Sequence, residues 1–197
     1  MLRDGITGFG RPRPWPDGSG SGTLGRVRES ASDLTQLQDL LDRSLGSAGS
    51  HLRSIFTDDR RLTASELIAS LNGIFEMHLA AVTSTGAPLV APADGIFFRG
   101  NVWFGLPARS VRAHLLRYNP RVSASFIRDS FAFIVHGEAK DADEASNTWN
   151  EYEALMRDLY VAQYGPGWLD WYEQLRQDGR ATSFTGYIEP RLMFAKR

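Results

Sequence analysis

The sequence predicts a mainly β protein with flanking helices (α+β), in which six or seven short antiparallel strands form the central element. Two patterns indicate this class. Between residues 74 and 140, segments of strand composition alternate with turn dipeptides at short intervals. Apolar residues recur with a helical period on both sides of that region. Short antiparallel strands at this spacing are typical of a barrel or a sandwich.

The chain divides into three predicted regions. Residues 1–30 are rich in Gly, Pro, Arg and Ser and predict a flexible arm with little apolar surface to bury. Residues 31–62 predict a helical N-terminal extension, for which Ser32 is the expected N-cap. Its leucines keep a helical period: Leu34, Leu37, Leu40, Leu41 and Leu45. Residues 63–197 form the predicted main domain.

The main domain is predicted to begin with a short helix, which the strands follow. Thr63 and Glu66 have the spacing of a capping box, in which each side chain satisfies the other residue's backbone N–H. Asp94-Gly95 and Gly100-Asn101 tolerate positive φ at low cost, so residues 86–106 predict three strands separated by two turns. Three further strands are predicted over residues 74–84, 121–128 and 131–140. Together these give six strands in consecutive hairpins.

The C-terminal part is predicted to contain two helices and a closing strand. Residues 141–164 carry a helical apolar stripe. Three acidic residues in the expected first turn match the positive end of the helix dipole: Asp141, Asp143 and Glu144. Residues 168–177 predict a further short helix. Residues 181–197 predict the last strand, in which Pro190 indicates an edge position or a bulge.

One segment stands out by its charge. Residues 107–128 contain five arginines and no carboxylate: Arg109, Arg112, Arg117, Arg121 and Arg128. Residues 107–118 predict a helix, on which Arg109 and Arg112 lie about 60° apart. Two guanidinium groups, the Ser110 hydroxyl and free backbone N–H groups at a helix start are suited to bind an anion, with phosphate the leading candidate. A solvated basic helix is the alternative interpretation.

The same helix has an apolar face. Val111, Leu115 and Tyr118 gather opposite the two arginines, and the pattern predicts that they face a core.

The composition excludes several classes of function. The chain has 197 residues with 42% hydrophobic and 11% aromatic residues, as in a folded globular protein, and its net charge of −1 indicates neither nucleic-acid nor membrane binding. Without cysteine, thiol catalysis, disulfides and thiolate metal sites are excluded. The four histidines have no ligand spacing, so no metal site is expected. No apolar run approaches the ~18 residues of a membrane span, and a signal-peptide core is missing. The expected location is therefore cytoplasmic.

The order of these parts resembles the pyridoxamine 5′-phosphate oxidase-like, FMN-binding split-barrel family over residues 65–197. The matching residues are Gly86-Ala87-Pro88, Val102-Trp103-Phe104, Arg109-Ser110-Val111-Arg112 and Asn119-Pro120-Arg121-Val122-Ser123. The resemblance implies a split β-barrel that forms a homodimer, with one flavin in each of two clefts at the dimer interface.

The resemblance also implies the residues that hold the cofactor. The phosphate of FMN is expected on Arg109, Ser110 and Arg112. The ring system is expected along Val90, Ala91 and Pro92 and beside Phe104 and Gly105, with Val90, Pro92 and Phe104 packing against it. Trp168, Trp171 and Tyr187 are expected either to make core or dimer contacts or to cover the cleft of the partner subunit.

The function implied by the resemblance is an FMN-dependent oxidoreductase that acts on an unidentified small molecule. A deazaflavin coenzyme or haem is the alternative cofactor, because the same barrel also hosts such proteins. A non-catalytic protein that binds flavin, deazaflavin or haem is the alternative function. His78 and His136 fall in predicted strands, where histidines satisfied within the barrel are favoured over haem ligands.

Overall fold

The computed structural model describes residues 29–107, 110–177 and 182–197. Within this part of the chain, six strands and six helices follow one another. The order is α1 (Ala31–Ser47), α2 (Ser50–Ile55), α3 (Ala64–Ser70), β1 (Ile74–Val82), β2 (Pro88–Phe98), β3 (Asn101–Pro107), α4 (Val111–Tyr118), β4 (Arg121–Arg128), β5 (Phe131–Asp141), α5 (Asn147–Tyr164), α6 (Gly167–Gln177) and β6 (Thr182–Lys196).

The six strands form a closed antiparallel barrel in the order β1-β2-β3-β6-β5-β4, which confirms the predicted fold class. One predicted turn is wrong: Asp94 and Gly95 lie inside β2, so five strands instead of six precede α5. Packing explains why this strand position is a glycine: a Cβ atom at residue 95 would lie only 2.8 Å from the ring of Phe75. The glycine therefore makes room for a core side chain.

The connections also differ from the predicted run of hairpins. β3 pairs with β6 and β4 pairs with β1, so α4 replaces a hairpin between β3 and β4. The β2–β3 turn consists of Arg99 and Gly100, with φ of 50° and 76°, one residue earlier than the sequence predicted. Positive φ at both positions is the requirement of a type I′ hairpin turn, which matches the twist of the strands.

Helices α1 and α5 begin at different residues from those predicted. Ser30, and not Ser32, caps α1, and it forms a capping box with Asp33. Helix α5 starts at Asn147 with Ser146 as its N-cap. Asp141 still belongs to β5, where it pairs with Gly186, so the predicted acidic first turn is wrong. The capping box of Thr63 and Glu66 at the start of α3 is confirmed.

Helices pack against the barrel in two places. On one side α1 packs against β6, where the buried Ser44 hydroxyl accepts a hydrogen bond from the backbone N–H of Met193 at 2.9 Å. On another side α5 and α6 bury an aromatic cluster with β2 and β3, which includes Trp103, Tyr152 and Trp168. None of the helices in the described ranges is long and apolar enough to span a membrane.

The last strand bends where the sequence predicted an irregularity. The register of β5 and β6 shifts between His136, which pairs with Leu192, and Gly137, which pairs with Pro190. A Cβ atom at Gly137 would lie 2.0 Å from the carbonyl oxygen of Glu189, so the two backbones approach closely beside this bulge. Of the two predicted alternatives for Pro190, the bulge is therefore confirmed. The predicted turn at residues 178–180 and the start of the strand at 181 lie outside the described residues.

Candidate functional site

The barrel wall separates between β2 and β3. These strands pair only from Ile96 to Phe98, and beyond this point β2 continues beside β1 while β3 continues beside β6. Helix α4 follows β3 and packs at this opening, with three side chains in the barrel core: Ala113, Leu115 and Leu116. The first half of β2 and the start of α4 therefore share one region of the surface.

The start of α4 is built around Ser110. The helix begins at Val111, four residues later than predicted, because Pro107 still belongs to β3. Ser110 is the N-cap, and its Oγ accepts a hydrogen bond from the backbone N–H of Ala113 at 3.1 Å. The hydroxyl proton of Ser110 is left to donate elsewhere, and the first N–H groups of a helix have no partner inside it.

Arg112 joins this helix to β2. Its Nη1 donates to the carbonyl oxygen of Ala91, and its Nη2 donates to that of Pro92, both at 2.9 Å. Partial burial lowers the pKa of the guanidinium, which nevertheless stays charged at any physiological pH. Among the described residues no carboxylate forms a salt bridge with it. The positive charge at this point is therefore not neutralised by the described part of the chain.

The predicted apolar face of α4 is wrong at two of its three positions. Val111 and Tyr118 are 66% and 74% exposed, and only Leu115 is buried. Ala113 and Leu116, three residues apart, form the buried face with Leu115. These three side chains face the core because α4 packs at the opening between β2 and β3. Apolar side chains are consequently left on the outer surface near the start and the end of α4.

The segment predicted to face a ring lies beside Arg112. Val90 and Pro92 are exposed and alternate with the half-buried Ala91, so they belong to the outer face of β2. Gly105 is also exposed. Phe104 differs from the prediction, because its side chain is 1% exposed and stacks on Phe184 inside the barrel, with ring centroids 5.2 Å apart. The side chain of Phe104 therefore packs inside the barrel and does not face a ligand on the outer surface.

Of the three residues predicted to hold a phosphate, Ser110 and Arg112 lie two residues apart at the start of α4. Arg109 lies outside the described residues. The structure thus brings together β2, the end of β3 and the start of α4. Their grouping is compatible with the site that the sequence predicts.

A carboxylate that was not predicted from the sequence lies on the same face of β2. Asp94 follows Pro92 by two residues, and its Oδ2 accepts a hydrogen bond of 2.8 Å from the phenol of Tyr160 in α5. Burial raises the pKa of Asp94 and so does the neighbouring Glu76, whereas the bond from Tyr160 lowers it. Asp94 is exposed, yet the atoms packed around its carboxylate remove part of its water. An aspartate inside an otherwise apolar strand is the signal that could have identified it.

Tyr160 belongs to an aromatic stack. The ring of Trp168 lies between Tyr160 and Tyr172, with centroid distances of 4.6 and 4.9 Å. Trp168 is buried, so it fills a core as one of the two predictions stated, while Trp171 is 42% exposed. Burial raises the pKa of the Tyr160 phenol well above its usual value, and the charge of Asp94 raises it further. Tyr160 therefore keeps its proton and donates a hydrogen bond to Asp94.

The histidines lie on outer surfaces. His78 and His136 are exposed on β1 and β5, and the Nδ1 atom of His136 lies 2.7 Å from the hydroxyl oxygen of Ser123. His114 is exposed on α4. No cluster of three metal-ligating side chains occurs in the described part of the chain.

Comparison with known proteins gives matches in structure alone. No protein-family model matches the sequence, and the search of curated protein sequences gives no match. The conserved hypothetical protein Rv2991 from Mycobacterium tuberculosis superposes with a TM-score of 0.54 at 19% identity, over 71% of this chain and 88% of that chain. The haem storage protein HutZ from Vibrio cholerae gives a TM-score of 0.50 at 19% identity, over 67% and 91%.

A third structure has the same fold. It is a candidate 5-nitroimidazole antibiotic resistance protein from Bacteroides thetaiotaomicron, with a TM-score of 0.51 at 11% identity, over 69% of this chain and 85% of that chain. At these identities the similarity concerns the fold alone. The resemblance to the pyridoxamine 5′-phosphate oxidase-like split-barrel proteins is confirmed at that level.

Proposed function

From the split-barrel fold and the surface shared by β2 and α4, we propose that this protein binds FMN and is a cytoplasmic, FMN-dependent oxidoreductase acting on a small molecule. One observation carries the proposal: the guanidinium of Arg112 bonds to the carbonyl oxygens of Ala91 and Pro92. This contact places the start of α4 beside the exposed apolar face of β2. The Arg112 cation, which has no carboxylate partner among the described residues, and the Ser110 hydroxyl therefore lie next to that face.

The start of α4 is suited to the phosphate of FMN. Arg112 uses two N–H groups on β2, which leaves further donors of its five, and the Ser110 hydroxyl can donate as well. The free backbone N–H groups of the first helical turn add to the positive potential there. Arg109, which lies outside the described residues, would supply a second guanidinium. This donor set fits a dianionic group without a metal ion.

The outer face of β2 is suited to a flat ring. Val90 and Pro92 offer apolar surface, and Gly105 adds a position with no side chain in the way. Bound FMN supplies the transfer of electrons or a hydride, whereas the protein binds it, orients it and excludes water. No paired carboxylates or nucleophile triad is required for such a role.

A homodimer would complete these clefts. Val90 on β2 and two residues of α4, Val111 and Tyr118, are all more than 60% exposed. Large apolar side chains grouped beside a polar site are typical of a surface that a partner covers. We infer that the partner is a second copy of the chain, with one cofactor cleft on each side of the interface.

Haem is the alternative ligand, in a protein that stores or binds its cofactor without catalysis. The specific observation in its favour is the shared fold with HutZ, a haem storage protein. The exposed imidazoles of His78 and His136 could serve as axial ligands. A deazaflavin coenzyme, which also carries a ring and phosphate, would use the same residues as FMN.

The absorption spectrum of the purified protein, followed by titration with FMN, a deazaflavin coenzyme and haemin, tests the proposal. Flavin bands or saturable FMN binding are expected. A Soret band together with absence of FMN binding would favour the haem-binding alternative. Chemical reduction of the FMN-loaded protein and its reoxidation by candidate substrates then separate an oxidoreductase from a binding protein, because only an oxidoreductase accelerates the reoxidation.

A further inference from the structure

The aspartate at position 94 does not help to stabilise the strand in which it lies. Aspartate is disfavoured inside strands, and its neighbour across the sheet is another carboxylate, Glu76, at the directly opposite position. No salt bridge involves either residue in the described ranges of the chain. Gly95, the other unusual residue of this segment, is explained by its contact with Phe75. An unfavourable charge pair that persists at a surface suited to a ligand is expected to serve function.

Helix α5 holds the carboxylate in place. The Tyr160 phenol donates to Oδ2 of Asp94 at 2.8 Å, and its ring is fixed by stacking on Trp168 at 4.6 Å. Asp94 lies two residues beyond Pro92 on the same exposed face of β2. Oδ2 accepts the bond from Tyr160, whereas Oδ1 has no hydrogen-bond partner among the described residues and can take up a proton or contact a ligand.

The groups near Asp94 on β1 and α5 are a carboxylate, an imidazole and three phenols. Glu76 lies directly opposite it on β1, and His78 follows Glu76 on the same exposed face. Burial raises the pKa values of Tyr152, Tyr160 and Tyr164 in α5, and the charge of Asp94 raises them further. Among the described residues no lysine or arginine forms a salt bridge with Asp94. The Asp94 carboxylate thus keeps its charge only with the help of one phenol and the water that still reaches it.

We propose that Asp94 and Tyr160 contact the ring of the molecule bound along β2, and that the ring binds together with one proton, which Oδ1 of Asp94 takes up from solvent. This inference rests on the proposed function. A flat ring next to Pro92 would remove the remaining water from the carboxylate while Glu76 still repels it. Neutralising Asp94 costs less than burying its charge. The bond from Tyr160 to Oδ2 is kept, and no electron is transferred in this step.

The coupling has a defined sign. A ligand that prefers protonated Asp94 binds more tightly at low pH, and its Kd rises by up to about tenfold per pH unit above the pKa of the free protein's carboxyl group. Tyr160 lowers the pKa of Asp94 through its hydrogen bond. In Tyr160→Phe the rise in Kd is therefore expected to begin at a higher pH than in the wild type. A structural role of Tyr160 alone would change the affinity without moving this pH range.

The test is the Kd for FMN from fluorescence quenching, measured across pH for the wild type, Asp94→Asn and Tyr160→Phe. Asn keeps an oxygen that can accept from Tyr160. The phosphate of FMN ionises equally in all variants, so the ratio of the wild-type Kd to the Asp94→Asn Kd isolates Asp94. We expect this ratio to rise with pH. Asp39→Asn, an exposed change on α1, is the control and should follow the wild type.

The outcomes separate this inference from the proposed function. FMN binding with a ratio that stays constant across pH would overturn the coupling and leave the proposed function standing. Absence of FMN binding at every pH would overturn both. A ¹³C NMR titration of the Asp94 carboxyl provides a second readout: its pKa should rise when FMN is added, and an unchanged or lowered pKa contradicts the proposal.

Discussion

The Nη2 atom of Arg112 donates a hydrogen bond to the carbonyl oxygen of Pro92 at 2.9 Å, across 20 residues of sequence. This bond connects the first turn of α4 to the strand from which α4 is separated by the whole of β3. It places a cation and the cap of a helix beside an exposed apolar strand. The proposed phosphate position depends on this connection.

Ser110→Asp should separate the two roles of Ser110. Aspartate caps helices about as well as serine, and a negative charge suits a helix start, so the free energy of unfolding should change by less than about 1 kcal/mol. A carboxylate at this position would repel the phosphate of FMN and weaken FMN binding at least about tenfold. Denaturant unfolding and FMN titration check the two expectations. Equal FMN affinity in both proteins contradicts a phosphate position at Ser110.

Ser44→Ala should destabilise the attachment of α1 to the barrel. The Ser44 hydroxyl is buried, donates to the carbonyl oxygen of Leu40 and accepts from Met193 N–H. Its removal leaves the buried Met193 N–H without a partner, which costs about 1–3 kcal/mol. Ser47→Ala, at an exposed position of the same helix, is the control and should cost much less. A loss from Ser44→Ala no larger than that of the control would contradict this account.

Gly137→Ala should destabilise the barrel by several kcal/mol. The added Cβ would lie 2.0 Å from the carbonyl oxygen of Glu189, so the β5 and β6 backbones would have to separate at the bulge. Gly46→Ala is the control within α1, where a Cβ meets nothing within 4 Å and alanine should stabilise the helix by about 0.5–1 kcal/mol. Thermal unfolding should show shifts of opposite sign, and a neutral Gly137→Ala would be inconsistent with the close backbone contact.

Trp168→Ala should be far more costly than Trp171→Ala. Trp168 is buried between Tyr160 and Tyr172, and truncation of such a core residue costs about 3–5 kcal/mol. Trp171, at 42% exposure, should cost a fraction of this. Chemical denaturation of both variants measures the difference. Comparable losses would mean that Trp171 is buried in solution, as a second subunit over this face would make it.

Most strands and the α3 cap were predicted from the sequence because the evidence for them is local, whereas the split barrel was implied by the family resemblance. In β4, alternation alone identifies the inward face of Val122, Ala124 and Phe126, and all three are buried. The capping box of α3 likewise lies within four residues of chain. Such signals need no knowledge of the partners that a segment meets in the fold.

The wrong predictions concern segments whose structure is fixed by contacts with residues far away in the sequence. Asp94-Gly95 has the composition of a turn, and only the ring of Phe75 on the neighbouring strand explains why Gly95 continues β2. The bond between Tyr160 and Asp94 spans 66 residues, so nothing near either residue indicates it. The orientation of α4 depends on the opening between β2 and β3, which exists only once the barrel has formed.

The affinities of Arg112→Ala for FMN and for riboflavin test the central claim most directly, because riboflavin has the same ring and no phosphate. Arg117→Ala, at the exposed end of the same helix, is the matched control. A lost charge-assisted hydrogen bond is worth about 1.5–3 kcal/mol, so Arg112→Ala should bind FMN about 10- to 100-fold more weakly than the wild type. Riboflavin binding should change little in either variant. If Arg112→Ala binds FMN as tightly as the wild type, or loses riboflavin affinity to the same extent, the start of α4 does not hold the phosphate.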